Sequence, residues 1–439
     1  MTEMLPFLMF AALGVFIMLG YPVAFTLGGL SLVFGFIGFG LDFFTLLPMR
    51  IWGRMTSFIL VAVPLFIFMG VFLDRSGLAE DLLDTMAALF GRVRGGVATS
   101  VVVVGGLLAA STGIMGATVV TMGVISLPLM LKKGYQHELA TGTVCASSTL
   151  GQIIPPSVAL VILGDIMGVS VGELFMGAVF PGVLLVILYI IFILLYSLIK
   201  PTAAPGMSVA EMANTDASKL TRRVFKSLLP PASLILAVLG SIFFGIASPT
   251  EAAAVGAAGA MLLTIVRRRM SFAVLKDVME STTGFTSMAF LILIGATAFG
   301  LVFRGLGGDA LLKNFLVGVG GGPWGVLALV MLVLFVLGFF LDFIEITFIV
   351  VPVLAPIVVD MGIDPLWLCI LIAINFQTSF LTPPFGFALF YLKGVSPPEI
   401  TTGEIYRGII PFVIIQLIGL CMVITWPELA TWLPKTLFK

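Results

Sequence analysis

The sequence predicts an all-α polytopic membrane protein built as an inverted repeat, with two re-entrant hairpins and two discontinuous helices. Three observations carry that expectation. The chain has 439 residues, 60% hydrophobic and only 10% charged, with a mean hydropathy of +1.22, whereas a soluble globular chain carries about 25% charged residues. Runs such as Phe180 to Ile199 hold no charge and meet the ~20 residues a spanning helix requires. Two Pro-Pro breaks fall inside apolar stretches, Thr149-Leu-Gly-Gln-Ile-Ile-Pro-Pro-Ser157 and Gln377-Thr-Ser-Phe-Leu-Thr-Pro-Pro-Phe-Gly386, with their prolines 228 residues apart.

Pro6 to Gly20 and Pro22 to Phe39 read as two apolar helices joined at Gly20-Tyr21-Pro22. Met1 to Gly20 lacks the positive leading region of a signal peptide, so it reads as the first span. Arg50 and Arg54 mark a polar arm along the interface, and Phe58 to Leu73 spans again. Ala79 to Phe90 sets Glu80, Asp81 and Asp84 against Leu82, Leu83, Met86 and Leu89, which predicts an amphipathic helix at the membrane surface. Val97 to Met130 is apolar but broken at Ser111 to Gly116, with Arg92 and Arg94 before it and Lys132 and Lys133 after it. Basic flanks at both ends predict a re-entrant hairpin with its tip near Ser111; two full spans with a tight turn are the alternative. Glu138 to Ser147 and Val158 to Gly168 are half-helices around the first break, and Leu174 to Ile199 is a long span. Lys200 to Lys226, with Lys219, Arg222 and Arg223, is polar and holds Pro, Gly, Asn and Ser, which predicts a loop between two halves.

Leu228 to Gly245 and Ala252 to Val266 then repeat the opening pair, and Arg267-Arg268-Arg269 follows. Phe285 to Phe303 spans, Leu311 to Val317 is a short arm, and Trp324 to Val359 is a second hairpin interrupted at Phe340 to Glu345. Leu366 to Phe376 and Phe387 to Lys393 flank the second break, and Ile409 to Ile424 is the last span. One offset of 228 pairs Gly28 with Gly256, Gly77 with Gly305, Asp81 with Asp309, Pro128 with Pro356 and Gly134 with Gly362, as well as the prolines. A gap-free register of this kind marks a duplication. Arg92, Arg94, Lys132 and Lys133 have no basic counterparts in the second half, so the positive-inside rule turns the two halves opposite ways, with the N-terminus outside. The expected units are residues 1–200, a cytoplasmic loop 201–226, and residues 227–439. They carry an inner hairpin (~96–131), a broken helix (~136–168), an outer hairpin (~323–360) and a second broken helix (~364–396). Inverted repeats with paired discontinuous helices are an architecture of secondary transporters.

The breaks supply chemistry as well as shape. Paired prolines remove amide donors, and a broken helix at membrane depth survives only where protein buries it or where it lines a wet cavity. Freed carbonyls and hydroxyls are hard oxygen ligands for a small cation such as Na⁺, and half-helix N-termini attract an anion. In the first half the tip residues Ser111, Thr112, Gly113 and Gly116 pair with Thr149, Gly151, Pro155, Pro156 and Ser157. In the second, Leu341 and Asp342 pair with Gln377, Thr378, Thr382, Pro383 and Gly386, and Asn375, one turn before the break, reads as a ligand or an orienting group. For substrate the candidates are Ser111, Thr112, Ser157, Asp342, Gln377, Thr378 and Thr382. For Na⁺ they are Ser111, Gly113, Gly116, Thr149, Gly151 and Pro155 in the first half, and Leu341, Asp342, Asn375, Thr378, Thr382 and Gly386 in the second, forming two or more sites.

Each has a plainer reading. Ser and Thr in membrane helices bond their own i−4 carbonyls. Asp342 and Glu345 lie in an apolar stretch, where carboxylates are costly and usually functional; the alternative for Asp342 is a helix cap. Asp165 reads as reaching the outer interface, Glu251 as helix-start chemistry after Ser248-Pro249-Thr250, and His137 as a solvated histidine beside Lys132 and Lys133. Cys145, Cys369 and Cys421 read as small apolar fillers. No His/Glu metal cluster or phosphate loop is present, and no basic stripe suggests nucleic acid. An intramembrane enzyme using Asp342 and Glu345 would lack a second catalytic motif.

Taken together, Ala62 to Gly70 (AVPLFIFMG), Ser111-Thr112-Gly113, Pro128-Leu129-Met130, Gly134-Tyr135, Gly151 to Ser157, Ser248 to Ala252, Leu341-Asp342, Gly362 to Pro365 and Thr382 to Gly386 resemble the large membrane subunit of tripartite ATP-independent periplasmic (TRAP) transporters over nearly the whole chain. The tip departs from many members, reading Ser-Thr-Gly rather than Ser-Gly-Ser. The resemblance implies Na⁺-driven import of an organic acid (a C4-dicarboxylate, a 2-oxo acid or similar) across the bacterial inner membrane. It also implies a small four-helix membrane subunit and a periplasmic substrate-binding protein as partners, besides the surrounding membrane lipids. Hairpins and broken helices would move against a scaffold like an elevator. A self-sufficient Na⁺/dicarboxylate symporter is the rival.

Overall fold

A computed structural model describes residues 4–113, 115–206, 217–318 and 320–437. The side chains of Ser111, Thr112 and residues 217–221 lie outside the described set. Among the described residues all regular structure is helical. The first half runs α1 (Leu5–Met18), α2 (Val23–Phe39), α3 (Phe43–Met55), α4 (Ala62–Arg75) and α5 (Leu78–Phe90). The first hairpin is α6 (Gly96–Thr112) and α7 (Met115–Lys132), and the first broken helix is α8 (His137–Thr149) and α9 (Val158–Met167), followed by α10 (Val171–Ile199). The second half opens with α11 (Ala217–Phe243), α12 (Pro249–Val266), α13 (Phe272–Gly305) and α14 (Gly308–Gly318). The second hairpin is α15 (Gly322–Leu337) with α16 (Phe343–Ile349) and α17 (Val351–Asp360) as its second arm. The second broken helix is α18 (Pro365–Leu381) and α19 (Phe387–Val395), and α20 (Thr402–Thr425) and α21 (Glu428–Leu437) complete the chain.

Helix is the only way these apolar segments can satisfy their own amides and carbonyls in hydrocarbon without closing a barrel. Seven described helices are long and apolar enough to cross a membrane, or up to ten if three bent pairs each count as one span. Their outer faces expose large apolar side chains such as Phe25, Leu195, Leu236 and Ile414, the surface lipid requires.

The halves interlock reciprocally. α4 lies along α12, where the hydroxyls of Thr250 and Thr264 donate to the carbonyls of Phe58 (3.2 Å) and Phe72 (3.4 Å). These partners advance together along both chains, so the two helices run parallel. Under the 228-residue shift, α4 maps onto the C-terminal part of α13 and α12 onto α2, and α2 packs on α13 in turn. There Gly295 meets the Ala24 carbonyl so closely that a Cβ would come within 2.7 Å of it. Small residues of this kind allow close backbone approach between membrane helices. The crossing of α8 with α20 is tighter still: a Cβ on Gly142 would overlap the Gly408 carbonyl, and one on Gly408 the Glu138 carbonyl.

The parallel pair also defines two ends of the molecule. At one end Arg75 pairs with Asp277 (2.7 Å) and Arg267 with Asp81 (2.6 Å), beside Arg268 and Arg269. At the other, Asp165 accepts from the Ser57 hydroxyl (2.9 Å) and lies 3.8 Å from the Arg54 guanidinium.

Several expectations change. The polar segment Lys200 to Lys226 is not all loop: α11 begins at Ala217, so Arg222, Arg223 and Lys226 are helical, while residues 207–216 lie outside the described set. α5 is amphipathic as read, but its apolar side (Leu78, Leu82, Leu83, Met86) is buried against α6 and α11 rather than laid on lipid. α13 starts at Phe272, thirteen residues ahead of the span read at Phe285, and has 34 residues in all. The closing helix α21, beyond Trp426-Pro427, was not anticipated; its short run with Pro434 inside carries no long apolar signal. Asp165 is tied to Ser57 and Arg54 with its side chain 6% exposed, rather than free at an interface. His137 Nδ1 lies 3.0 Å from Glu404 Oε1, so it is a hydrogen-bond partner of α20 rather than simply solvated. Glu251 does what was read for it, accepting the Ser248 amide and hydroxyl at 2.8 Å in a capping box at the start of α12.

Candidate functional site: two breaks and two hairpin tips

The first break is sealed. After Thr149 the chain makes one 3-10 turn, Leu150–Gln152, then passes Pro155 and Pro156 to Ser157, the residue before α9. The Pro155–Pro156 bond is cis, as is Pro383–Pro384. Thr149, Gln152 and Ser157 are buried. The Thr149 hydroxyl donates to the Ala146 carbonyl (3.0 Å), and that of Ser157 reaches across the break to the Gln152 carbonyl (3.0 Å). Ser157 therefore does not cap α9, whose first amides stay without a side-chain partner.

The first hairpin tip sits on this break. Gly113 ends α6 in the left-handed region (φ 61°), its amide donating to the Ala109 carbonyl. A Cβ there would stand 3.1 Å from the Val158 amide nitrogen, and a Cβ on Gly151 would overlap the Ala109 carbonyl. The negative C-terminal end of α6 thus meets the positive N-terminal end of α9. Ser111 and Thr112 are the last helical residues of α6; the ligand roles read for their side chains lie outside the described set. Ile114, beside the tip, is also outside it. Gly116 was expected beside the first break, but it faces the ring of Tyr391 in α19. Each hairpin's second arm leans on the other half's half-helix: α7 on α19, and α16 and α17 on α9.

The second break is more open. α18 ends at Leu381, and Thr382 to Gly386 lead into α19. Thr378 and Thr382 donate to the carbonyls of Ile374 and Thr378, each at 2.8 Å. This is the plain i−4 pattern, but a hydroxyl whose proton is so placed still turns lone pairs outward. Asn375 donates to the Met331 carbonyl (2.8 Å) and so ties α18 to α15, the orienting half of the role read for it. A Cβ on Gly338 would overlap the Ser379 hydroxyl, and the rings of Phe340 and Phe385 lie 5.1 Å apart. These contacts put the second tip against the second break.

Leu341 is buried at the tip beside Asp342. Asp342 is the N-cap of α16, and Glu345 Oε2 accepts its amide at 3.1 Å. Asp342 thus stands at the cap position of α16, the plainer place read for it, in a capping box with Glu345. Asp342 as a whole residue is only partly buried.

The two breaks meet. Gln377 Nε2 lies 3.3 Å from Thr149 Oγ1, and these are equivalent positions under the repeat. Gln377 Oε1 and both amide atoms of Gln152 are buried without a partner among the described residues. Leaving such groups unpaired costs about 1–3 kcal/mol each, so they mark a place where a further polar ligand would be favoured. Gln152 was quoted in the sequence motif but not picked as a site residue. It is the one side chain with both donor and acceptor groups between Leu150 and Pro156, which was the available signal. The donor set offered here is carbonyl, hydroxyl and carboxamide oxygen, and no cluster of three His, Cys, Asp or Glu occurs among the described residues. Neutral hard oxygens fit an alkali cation better than a transition metal.

Helical hairpins set against broken helices, inside a girdle of spanning helices, define a secondary-transporter fold. The solved structure of the Alcanivorax borkumensis YdaH transporter superposes with a TM-score of 0.62, covering 93% of this chain and 98% of that one at 16% identity. Residues 10–429 match the family described as tripartite ATP-independent periplasmic transporter, DctM component. The chain belongs to that family; it is a TRAP large permease subunit, a multi-pass inner-membrane protein of a transporter family and not an enzyme. It is 31% identical over 410 residues to the C4-dicarboxylate TRAP transporter large permease protein DctM of Pseudomonas aeruginosa, covering 93% of this chain and 94% of the relative. It is 29% identical over 430 residues to the ectoine TRAP transporter large permease protein TeaC of Halomonas elongata, covering 96% and 97%.

Proposed function

We propose that this permease imports a small organic acid across the inner membrane, driven by a Na⁺ gradient, with the two breaks and their hairpin tips as paired ion cradles and the acid bound between them. The observation that carries this reading is the Gln377–Thr149 contact, because it joins equivalent points of two duplicated cradles. The unpartnered carboxamide oxygens of Gln152 and Gln377 support a polar ligand there. The amides at the start of α9, which no side chain caps, suit a carboxylate.

Inversion of the two halves, re-entrant hairpins and elevator motion belong to the same proposal. The level of the first tip supports it: Gly113 meets Val158, midway through the α8–α9 span, rather than either end. The relatives' names differ in substrate, C4-dicarboxylate in one and ectoine in another; an organic acid is the choice the cradle favours here. A small four-helix membrane subunit and a periplasmic substrate-binding protein complete the proposed transporter.

Reconstitution in liposomes tests the reading. Labelled succinate uptake is expected to require an inward Na⁺ gradient, the small subunit and the binding protein. Equal uptake with K⁺ replacing Na⁺ would remove the coupling. Uptake by this chain alone would replace the tripartite reading with a self-sufficient symporter.

A further inference from the structure

Away from the breaks, a cavity of about 670 Å³ opens between α3, the C-terminal part of α13 and the bend between α16 and α17. Three guanidinium groups line it, from Arg50, Arg54 and Arg304, and no carboxylate does. Its remaining wall includes small residues, Gly53, Ala296 and Gly300 among them, which leave room beside the charges. Arg54 has Asp165 at 3.8 Å, and Asp309 is near enough to Arg304 to feel its charge. Arg304 Nε also donates to the Gly300 carbonyl at 3.2 Å. Arg50 has no ion-pair partner among the described residues, so the lining keeps a positive excess.

The position of this charge is unusual. The cavity is at the Ser57–Asp165 end, opposite Arg75 and Arg267 to Arg269. The positive-inside rule puts that richer end in the cytoplasm, so these three arginines gather on the outer side, against the trend. Phe348, Ile349 and Pro352 of the second hairpin form another wall. Ile349 ends α16, whose cap is Asp342, so the cavity begins roughly 9 Å along that helix from the second tip. Guanidinium forks match carboxylates in bidentate geometry, and the volume is within the usual ~300–1,000 Å³ of ligand sites.

We propose that Arg50, Arg54 and Arg304 form an antechamber that binds small carboxylate anions on the outer side, before they reach the second tip. The inference rests on the organic-acid reading above and adds to it a second, Na⁺-independent site. The test uses the full chain in phosphatidylcholine nanodiscs, with phenylglyoxal labelling of arginines followed by mass spectrometry and succinate as the probe. Saturating succinate is expected to slow labelling of Arg50 and Arg304 by about threefold or more, with or without Na⁺, and to leave exposed Arg223 unchanged. Arg304→Gln should weaken the protection of Arg50, because both hold one anion. Absence of protection, or protection that follows added phosphatidylglycerol and ignores succinate, overturns the proposal; the second result would assign the cavity to a lipid phosphate. Uptake by the same protein in liposomes, with the small subunit and the binding protein present, separates the two ideas. Na⁺-driven uptake without arginine protection removes the antechamber alone, and arginine protection with Na⁺-independent uptake removes the coupling alone.

Discussion

In the first break Pro155, Pro156 and Ser157 are all buried, whereas in the second Pro384 and Phe385 are exposed, Phe385 by 44%. The first is closed by main chain: Ala109 and Gly113 of α6 press on Gly151 and Val158. The second is held more loosely, by the Phe340–Phe385 ring contact and the Tyr406 hydroxyl donating to the Pro384 carbonyl at 2.7 Å. The two Pro-Pro breaks thus share one device in different surroundings. A sealed break suits a dehydrated ion, and an open one suits exchange with whatever enters beside the second tip.

Substitutions can break that contrast. The largest effect is expected at Gly151. Gly151→Val drives a side chain into the Ala109 carbonyl, which cannot rotate away, and should cost about 3 kcal/mol. Gly386→Ala, whose Cβ would come within 2.9–3.1 Å of the Phe380 carbonyl, Leu389 and the Thr382 carbonyl, should cost about 1 kcal/mol in the looser break. Thermal unfolding in nanodiscs measures both, and equal losses would erase the sealed–open distinction. Next comes Asn375→Leu, which strips the Met331 carbonyl of its donor and should cost about 2 kcal/mol.

The link between the breaks is smaller. A double-mutant cycle of Thr149→Val with Gln377→Leu should return a coupling of about 1 kcal/mol, and a coupling near zero would make their contact incidental. Asp342→Ala should lose about 1 kcal/mol as a cap, while Asp342→Asn keeps the cap. If Asp342 also ligates Na⁺, the Asn variant weakens Na⁺ activation of uptake without lowering the melting temperature. An unchanged Na⁺ dependence leaves it a cap only. Tyr406→Phe should change stability least, by under about 0.5 kcal/mol, since water can replace the hydroxyl at an exposed carbonyl.

The breaks and the hairpins were legible because proline acts locally: Pro155-Pro156 and Pro383-Pro384 stop helices whatever surrounds them. The 228-residue offset was legible because its register is gap-free. What sequence could not supply was which faces meet. Arg50 and Arg54 read as an arm, and nothing in the chain places Arg304 beside them; only the packing of α3 on α13 does. That Gly116 faces Tyr391 of the other half was hidden for the same reason, since α7 also reaches α19. Asp165 and His137 were read as bland because their partners, Arg54 and Glu404, are 111 and 267 residues away. The start of α11 at Ala217 was hidden by polar composition, which does not distinguish a solvated helix from a loop.

The crossing of α8 and α20 bears on how the molecule can work as a machine. At Gly142 and Gly408 two main chains are in contact, and a shift of one residue would put the side chain of Arg407 or Ile409 where only hydrogen fits. That joint behaves as a rivet. α8 carries the first break, so in the proposed elevator motion α20 would travel with it. Sliding would then fall where side chains rather than main chains meet, as in the crevice walled by Met49, Arg304 and Phe348. The same gap that collects charge would then be the seam along which the moving part clears the fixed one.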